Sequence, residues 1–400
     1  MRKTTKRRVA NAGTLAVLLA ALALTAAACG SSSSGDSGTT TGGGADKGEA
    51  TKIGFIVDQT GPLAPIGGGY ARGVDIAAAQ WNADPARRPV RIESCDSQST
   101  GDGAIACYQK LRTSVDAISG PSLFVGLASV RSLAAKGTIP LVSGAPLVDP
   151  PAGSPIFQTI PTIADGIGAS FKYFKTQGWT KVALLTSNDE PGNLAKQGAN
   201  KLADQYGMTL VTQQVFDPTA QNLTAQAENI ASAHPDVVLA WTAGPQLITA
   251  LRALQAAGVD VPVMLNYASM STALLSKAGA QATANTLFFA SRAFDASSIT
   301  DASWKQRVED FDKRFVAKNK VAPDLTAYDA ADTIFAIGAA ADKDPSSAAI
   351  RTALESGMEL PGLLYQNYRY SPTNHIGISG PDVFDILKWL PAKQTWELTQ

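Results

Sequence analysis

From Thr51 onward, short apolar runs rich in β-branched residues alternate with stretches whose apolar positions recur at helical spacing. TKIGFIVD (51–58) is apolar and runs into the Gly/Pro-rich TGPLAPIGGG, the pattern of a buried parallel strand followed by a loop. The next segment places Val74, Ala77, Ala78 and Trp81 on one helical face. Strands are then predicted at 90–96, 115–119 and 139–143, with helices at 102–114 and 123–136 between them. A Pro-rich loop, APLVDPPAGSP, and a short strand, IFQTI, end this first round. The theme restarts with helices at 165–177, 193–206, 222–233 and 246–257. They are interleaved with strands at 181–187, 209–216, 236–241, 261–267 and 286–291. Residues 303–357 read as mostly helical, and 364–398 as short strands with turns at Ser371-Pro372 and Gly380-Pro381.

Repeated strand–helix alternation implies α/β architecture, with parallel sheets covered by helices on both faces. Two successive rounds, over about 350 structured residues, predict two domains, because one hydrophobic core rarely serves a chain of that length. Ligands of open α/β sheets bind beyond the carboxyl ends of strands. The candidate loops are therefore 59–69, 120–123, 143–147, 188–192, 242–245 and 266–271.

The first 50 residues follow a different pattern. Arg2, Lys3, Lys6, Arg7 and Arg8 precede an apolar stretch from Ala12 to Ala28, then Cys29-Gly30 and Ser31 to Ser34. A basic start, an apolar core and small residues before a cut site are the parts of a secretory signal. With Cys29 directly after Ala26-Ala27-Ala28, the segment resembles a bacterial lipoprotein signal, in which that cysteine is acylated and becomes the mature N-terminus. Ala26 stands where such signals usually carry Leu. The alternative is an uncleaved signal-anchor helix, since about 20 apolar residues can span a bilayer. An anchor, however, needs neither the cysteine nor the Gly/Ser/Thr-rich tether at 30–50. No later segment has 18 consecutive apolar residues.

Charge narrows the function. The whole chain carries 34 Lys+Arg against 34 Asp+Glu, and the leader holds five of the bases and no acid. The mature chain is mildly acidic and shows no basic stripe, which argues against nucleic acid as a partner. Cys95 and Cys107 form an even pair in an oxidising compartment, which suggests a disulfide; two buried free thiols are the alternative.

Catalytic chemistry is poorly represented. His234 and His375 are the two histidines, far apart in sequence, so neither a metal site nor a histidine-based triad is expected. Gly67-Gly68-Gly69 follows a strand, yet the third glycine of a dinucleotide fingerprint falls on Arg72, and the run reads instead as a small flexible loop beside a pocket. Asp189 and Glu190 are adjacent carboxylates after a strand, with solvated loop acids the default reading. No G-x-S-x-G elbow occurs. No cofactor is expected.

Several fragments in order resemble the solute-binding lipoproteins of ABC importers, specifically the branched-chain amino-acid (leucine/isoleucine/valine-binding) type. They are KIGFIVDQTGPLAPIGGGYARGVDIAAAQWN, CDSQSTGDGAIACYQKL, GTIPLVSGAP, WTKVALLTSNDEPG, LRALQAAGVDVPVML and TAYDAADTIFAIGAA. The resemblance covers about residues 51–400. It implies the type I periplasmic-binding-protein fold: two Rossmann-like lobes joined by a three-strand hinge, with crossings near Pro161, Ser291 and Gly362. The implied division is a signal peptide at 1–28, the lipidated cysteine and tether at 29–50, lobe 1 at 51–161 and 292–362, and lobe 2 at 162–291 and 363–400. It also implies a monomer, held at the cell membrane by lipid on Cys29, that passes a small organic ligand to an ABC permease and its ATPase.

By the same resemblance, Ser122, Leu123, Ser143, Gly144 and Ala145 form the first-lobe wall of the ligand site. Asp189, Glu190, Trp241 and Tyr267 would face them, with Tyr328 and Phe124 as further aromatic candidates. The acid that pairs the ligand ammonium in such proteins falls near Ala268 here, so an ordinary branched-chain amino acid is doubtful unless Asp189 or Glu190 supplies the charge. Two other readings stay open: a sensing module of the same fold feeding a signalling partner, and a lipid-anchored secreted enzyme. Genomic neighbours would separate the first from a transport role, and an activity screen would test the second.

Overall fold

The computed structural model describes residues 48–145, 150–151, 153–242 and 244–399. Cys29, the leader and residues 30–47 of the tether lie outside the described residues, as do 146–149 of the Pro-rich loop. The first round contains β1 (Thr51–Val57), α1 (Ala64–Asn82), β2 (Val90–Asp96), α2 (Gly101–Leu111), β3 (Ala117–Ser119), α3 (Phe124–Ala134), β4 (Leu141–Ser143) and β5 (Ile156–Gln158). The second begins with α4 (Ile163–Thr176), β6 (Lys181–Ser187), α5 (Glu190–Tyr206), β7 (Thr209–Phe216) and α6 (Thr224–Ser232). It continues through β8 (Val237–Trp241), α7 (Gln246–Ala256), β9 (Val263–Asn266), α8 (Thr272–Ala278) and β10 (Thr286–Ala290). The C-terminal part holds α9 (Ala302–Asn319), α10 (Leu325–Ala341), α11 (Ser347–Glu355), β11 (Leu360–Pro361), β12 (Asn367–Tyr368), β13 (Asp385–Leu390) and β14 (Thr395–Leu398).

These elements build two main sheets. The first, in order β2-β1-β3-β4-β5, is wholly parallel. The second, β14-β13-β10-β9-β8-β6-β7, repeats that order in its parallel part and adds β13 and β14 antiparallel at one edge. In both sheets the chain moves outward from the first strand and then reverses, so β1/β3 and β6/β8 are topological switch points, where ligand crevices open in sheets of this kind. The chain passes from the first sheet to the second after β5, returns after β10 and crosses again after β11. Before it rejoins the second sheet, however, the segment expected with lobe 2 lies on the first. Gln158 donates to the His375 carbonyl at 2.9 Å, and the Phe157 ring stacks on His375 at 4.3 Å and meets Tyr370 edge-on at 5.2 Å. Burial of these rings holds residues 370–376 there.

Local chemistry explains the ends. Thr162 and Asp165 form a reciprocal capping box at the start of α4, and Asp189 caps α5, which stops at Gly207 in the left-handed region (φ 73°). α10 is apolar nearly all round and correspondingly buried, packed against α1 and the strands of the first sheet. The Gly67–Gly69 run belongs to the first turns of α1, not to a flexible loop. A Cβ at Gly67 would stand 1.9 Å from the Asp58 carbonyl oxygen, so close packing, not turn formation, is what requires glycine there.

Cys95, in β2, and Cys107, in α2, are disulfide-bonded, with Cα atoms 5.6 Å apart. Closing so short a loop typically contributes about 2–3 kcal/mol. Reduction should therefore lower the melting temperature by several degrees and leave the fold intact. A melt run with and without reductant checks this; loss of all secondary structure on reduction would contradict it. Among the described residues, no helix is long and apolar enough to cross a membrane, and no group of three or more His, Cys, Asp or Glu could hold a metal ion.

Candidate functional site

On the first-lobe side, the loops after β1 and β3 meet at the switch point. Asp58 is buried and accepts from Ser97 Oγ at 2.6 Å and from Ser122 Oγ at 3.3 Å, bridging the two loops. Ser143, at the end of β4, donates its hydroxyl to the Pro121 carbonyl (2.9 Å) and accepts the Ala145 N–H (3.1 Å). The Ser122 and Ser143 hydroxyls and the Ala145 N–H, all expected in the wall of the ligand site, are thus engaged within the lobe, because short buried loops must satisfy their own polar groups. Leu123 caps α3 and packs on the larger core, while Phe124 joins the smaller core under α2 and α3.

The second-lobe loops are equally tied together. Ser187 Oγ lies 2.8 Å from Asp189 Oδ1, and that same oxygen accepts the Gly192 N–H at 2.9 Å. Asp189 is a helix cap and Glu190 is an exposed first-turn residue, so neither acid projects buried charge into the cleft. The Thr242 carbonyl accepts from Asn266 Nδ2 (2.9 Å) and Ser269 Oγ (2.6 Å), fixing the 3-10 turn Tyr267–Ser269. Tyr267 is held by stacking on Phe384 at 5.9 Å and by an edge contact with Phe289 at 5.8 Å; Trp241 also packs on Phe289, at 5.6 Å. Tyr328 does not join this group. Its ring packs between Phe294 and Phe311, and its hydroxyl donates to Asp312 on α9 at 2.6 Å.

Between the two sides lies a cavity of about 10 Å³ lined by Ile160, Tyr267, Ser291, Leu325, Leu364 and Tyr365. That is room for about one water. Ile160, Ser291 and Leu364 belong to the three crossing segments, so the cavity sits at the hinge end of the cleft. One and two helical turns beyond Leu325 on the same face of α10 come Asp329 and Asp332, both wholly buried.

Sequence reading missed these two acids. Asp332 accepts the Leu363 N–H (2.6 Å), the Leu364 N–H (3.0 Å) and the Tyr368 hydroxyl (2.5 Å), and so clasps the third crossing. Asp329 Oδ1 accepts from Thr159 Oγ1 at 2.9 Å, and the Tyr70 hydroxyl also hydrogen-bonds this carboxyl, whereas the Tyr267 hydroxyl is buried without a hydrogen-bond partner. The carboxyl lies against Gly144, where a Cβ would fall 1.5 Å from Oδ2. Burial lifts the Asp329 pKa to about 7; the Thr159 and Tyr70 hydrogen bonds oppose the rise, and the nearby Asp332 adds to it. Tyr70 of α1 and Tyr267 are pushed up by burial and then by the Asp329 charge. The missed signal was two acids three residues apart in an otherwise apolar helix, LTAYDAADTIFAIGAAA, with no base beside them.

This two-lobed arrangement matches known proteins. An extracellular ligand-binding receptor from Rhodopseudomonas palustris HaA2 superposes with a TM-score of 0.76 at 19% identity, covering 88% of this chain and 100% of that one. An ABC transporter substrate-binding protein from Sphaerobacter thermophilus gives 0.75 at 21% identity, over 88% and 96% of the two chains. The branched-chain amino acid transporter substrate-binding protein LivJ from Streptococcus pneumoniae, solved with isoleucine, gives 0.74 at 19% identity, over 88% and 99%. No curated protein sequence matches significantly. The family model for periplasmic binding proteins matches residues 50–385, and with the paired 2-1-3-4-5 sheets and the cavity between them, the chain belongs to the periplasmic binding protein family.

Proposed function

We propose that this protein is an extracytoplasmic receptor, lipid-anchored through Cys29, that captures a small organic solute between its two sheets and delivers it to an ABC import permease and its ATPase. Amino-acid-like molecules, amides and small organic or aromatic acids are the candidate solutes. The observation that supports the reading is a narrow, aromatic-walled cavity lined by residues of all three crossings, between two sheets that share the 2-1-3-4-5 strand order. About 10 Å³ is far below the several hundred Å³ of an ordinary ligand pocket, so any such solute requires the lobes to part before it enters. Hinged closure around ligand then gives the differential affinity that shifts the protein to its closed form.

A thermal-shift screen across those solute classes tests the reading. A solute present at about 100 times its dissociation constant should add roughly 2.7 kcal/mol of stability, a shift of several degrees. If none of the classes raises the melting temperature, solute capture is the wrong function. Anchoring is tested separately: Cys29→Ala should abolish lipid labelling and leave unprocessed precursor, and a variant still labelled and cleaved after Ala28 would refute the assignment.

A further inference from the structure

We propose that a hollow walled by α1, α9 and β11 is a second binding site, separate from the cleft, which takes a small organic anion with a flat apolar body and holds it beside the third crossing. The proposal stands whether or not the solute-binding reading does. The hollow encloses about 440 Å³, within the range of ordinary small-molecule pockets. None of its lining residues lines the hinge cavity. Its base is apolar: Trp81 and Phe335 are almost wholly buried, with ring centroids 6.2 Å apart, and Pro85 and Pro361 extend the apolar lining.

Charge sets this hollow apart. Three guanidinium groups line it, and one of them is already matched: Arg87 lies over the Trp81 ring at 4.2 Å and pairs with Asp84 at 3.1 Å. Arg307 and Arg314, seven residues apart, share a face of α9. Among the described residues, neither makes an ion pair, and Arg314 makes no hydrogen bond. Arg307 donates to the Gly362 carbonyl at 3.3 Å, the Gln366 carbonyl at 2.7 Å and Ser303 Oγ at 3.4 Å. These acceptors are neutral, so the half-buried cation that grips the third crossing has no counter-ion in contact. Burial pushes the Arg307 pKa down; Asp301 and Asp332 oppose this, and Arg87 adds to it.

Exposed arginines are commonly neutralised along their own helix. Arg351 and Glu355 do so on α11 at 2.9 Å, and Lys305 and Glu309 meet on α9 at 3.9 Å. Asp310 and Arg314 have the same spacing, with the acid in the favourable leading position, yet form no ion pair and line the hollow separately. Two fork-shaped donors on one wall, above an apolar base, fit a carboxylate carried on an aromatic ring: the guanidinium groups take the carboxylate and the ring covers the base. Asp310 repels such an anion and limits its affinity.

Calorimetric titration of the protein with benzoate, and with benzyl alcohol and benzylamine as probes of similar shape, tests this. Benzoate should bind, and the neutral and cationic probes should not. Arg314→Gln should weaken benzoate about fivefold, and Asp310→Asn should tighten it about threefold. Both residues are exposed, so both variants should keep the parent circular dichroism spectrum. Hydrogen exchange distinguishes this hollow from the cleft: benzoate should protect residues 303–314 and 361–366. Protection confined to 120–145 and 266–269 would overturn the proposal, as would an affinity that neither substitution changes. No benzoate binding at millimolar concentration, or benzylamine binding equally well, would overturn it too. Each of these failures leaves solute capture in the cleft untouched.

Discussion

Replacing Asp332 with alanine is expected to lower the unfolding free energy by about 4 kcal/mol, a large share of the roughly 5–15 kcal/mol that holds a typical domain together. The reason is the number of groups it leaves stranded. The Leu363 and Leu364 N–H groups and the Tyr368 hydroxyl all donate to this one carboxyl, and the residues carrying them are buried. Each buried donor without an acceptor costs about 1–3 kcal/mol, less what a penetrating water recovers. An opposing term exists, since burial lifts the carboxyl pKa to about 7 and so the charged form is itself disfavoured. Three donors outweigh it. Asp332→Asn keeps one acceptor but sets an NH₂ group against a donor, and should cost about half as much. The pH dependence has a definite sign. A carboxyl whose folded pKa lies above its unfolded value stabilises the fold below about pH 4, and that contribution is lost as pH rises through 7. Denaturant melts of wild type and Asp332→Asn between pH 4 and 8 should converge at high pH in slope, though not in level. Equal stability of Asp332→Ala and wild type would mean that the third crossing is not held by this clasp.

Gly73→Ala should destabilise the protein by about 3 kcal/mol, although helix propensity taken alone favours alanine by about 1 kcal/mol. Gly73 lies in the middle of α1, where it crosses α10. A Cβ there would stand 2.3 Å from the Ala327 carbonyl oxygen and 2.7 Å from its Cα. Both are backbone atoms, so no side chain can rotate aside and the helices must separate. Ala327 lies two residues before Asp329, so separation also displaces the carboxyl from its place against Gly144. Chemical denaturation read by circular dichroism should show the loss, together with weaker binding of any solute the parent binds. A variant more stable than the parent would show that propensity, not the helix crossing, governs this position.

Much of the fold was legible because the pattern was local. Strands at 90–96, 181–187 and 209–216 fall where short runs rich in β-branched residues put them. The glycine run at 67–69 was misread because punctuation residues usually mark loops. At α1, contact with Asp58 and α10 overrides that tendency. The packing of residues 370–376 on the first sheet is not legible either, since nothing in their own pattern announces that Phe157 and Ile156 meet Tyr370 and His375.

The site was less legible than the fold. Tyr267 and the strand-end loops follow from topology, but which of their hydroxyls are already occupied depends on contacts between distant segments, such as Ser122 with Asp58. Asp329 is 170 residues from its Thr159 partner, and only the folded chain brings them together.

One face of α10 carries Leu325 at the cavity, Asp329 against Thr159 and Gly144, and Asp332 at the third crossing. On the proposed reading, solute contact and hinge mechanics share a single rigid rod. Anyone retuning this protein as a sensor for a new analyte by altering the middle of that rod will also retune how readily the jaws swing. Dynamic range and ligand preference will have to be optimised together.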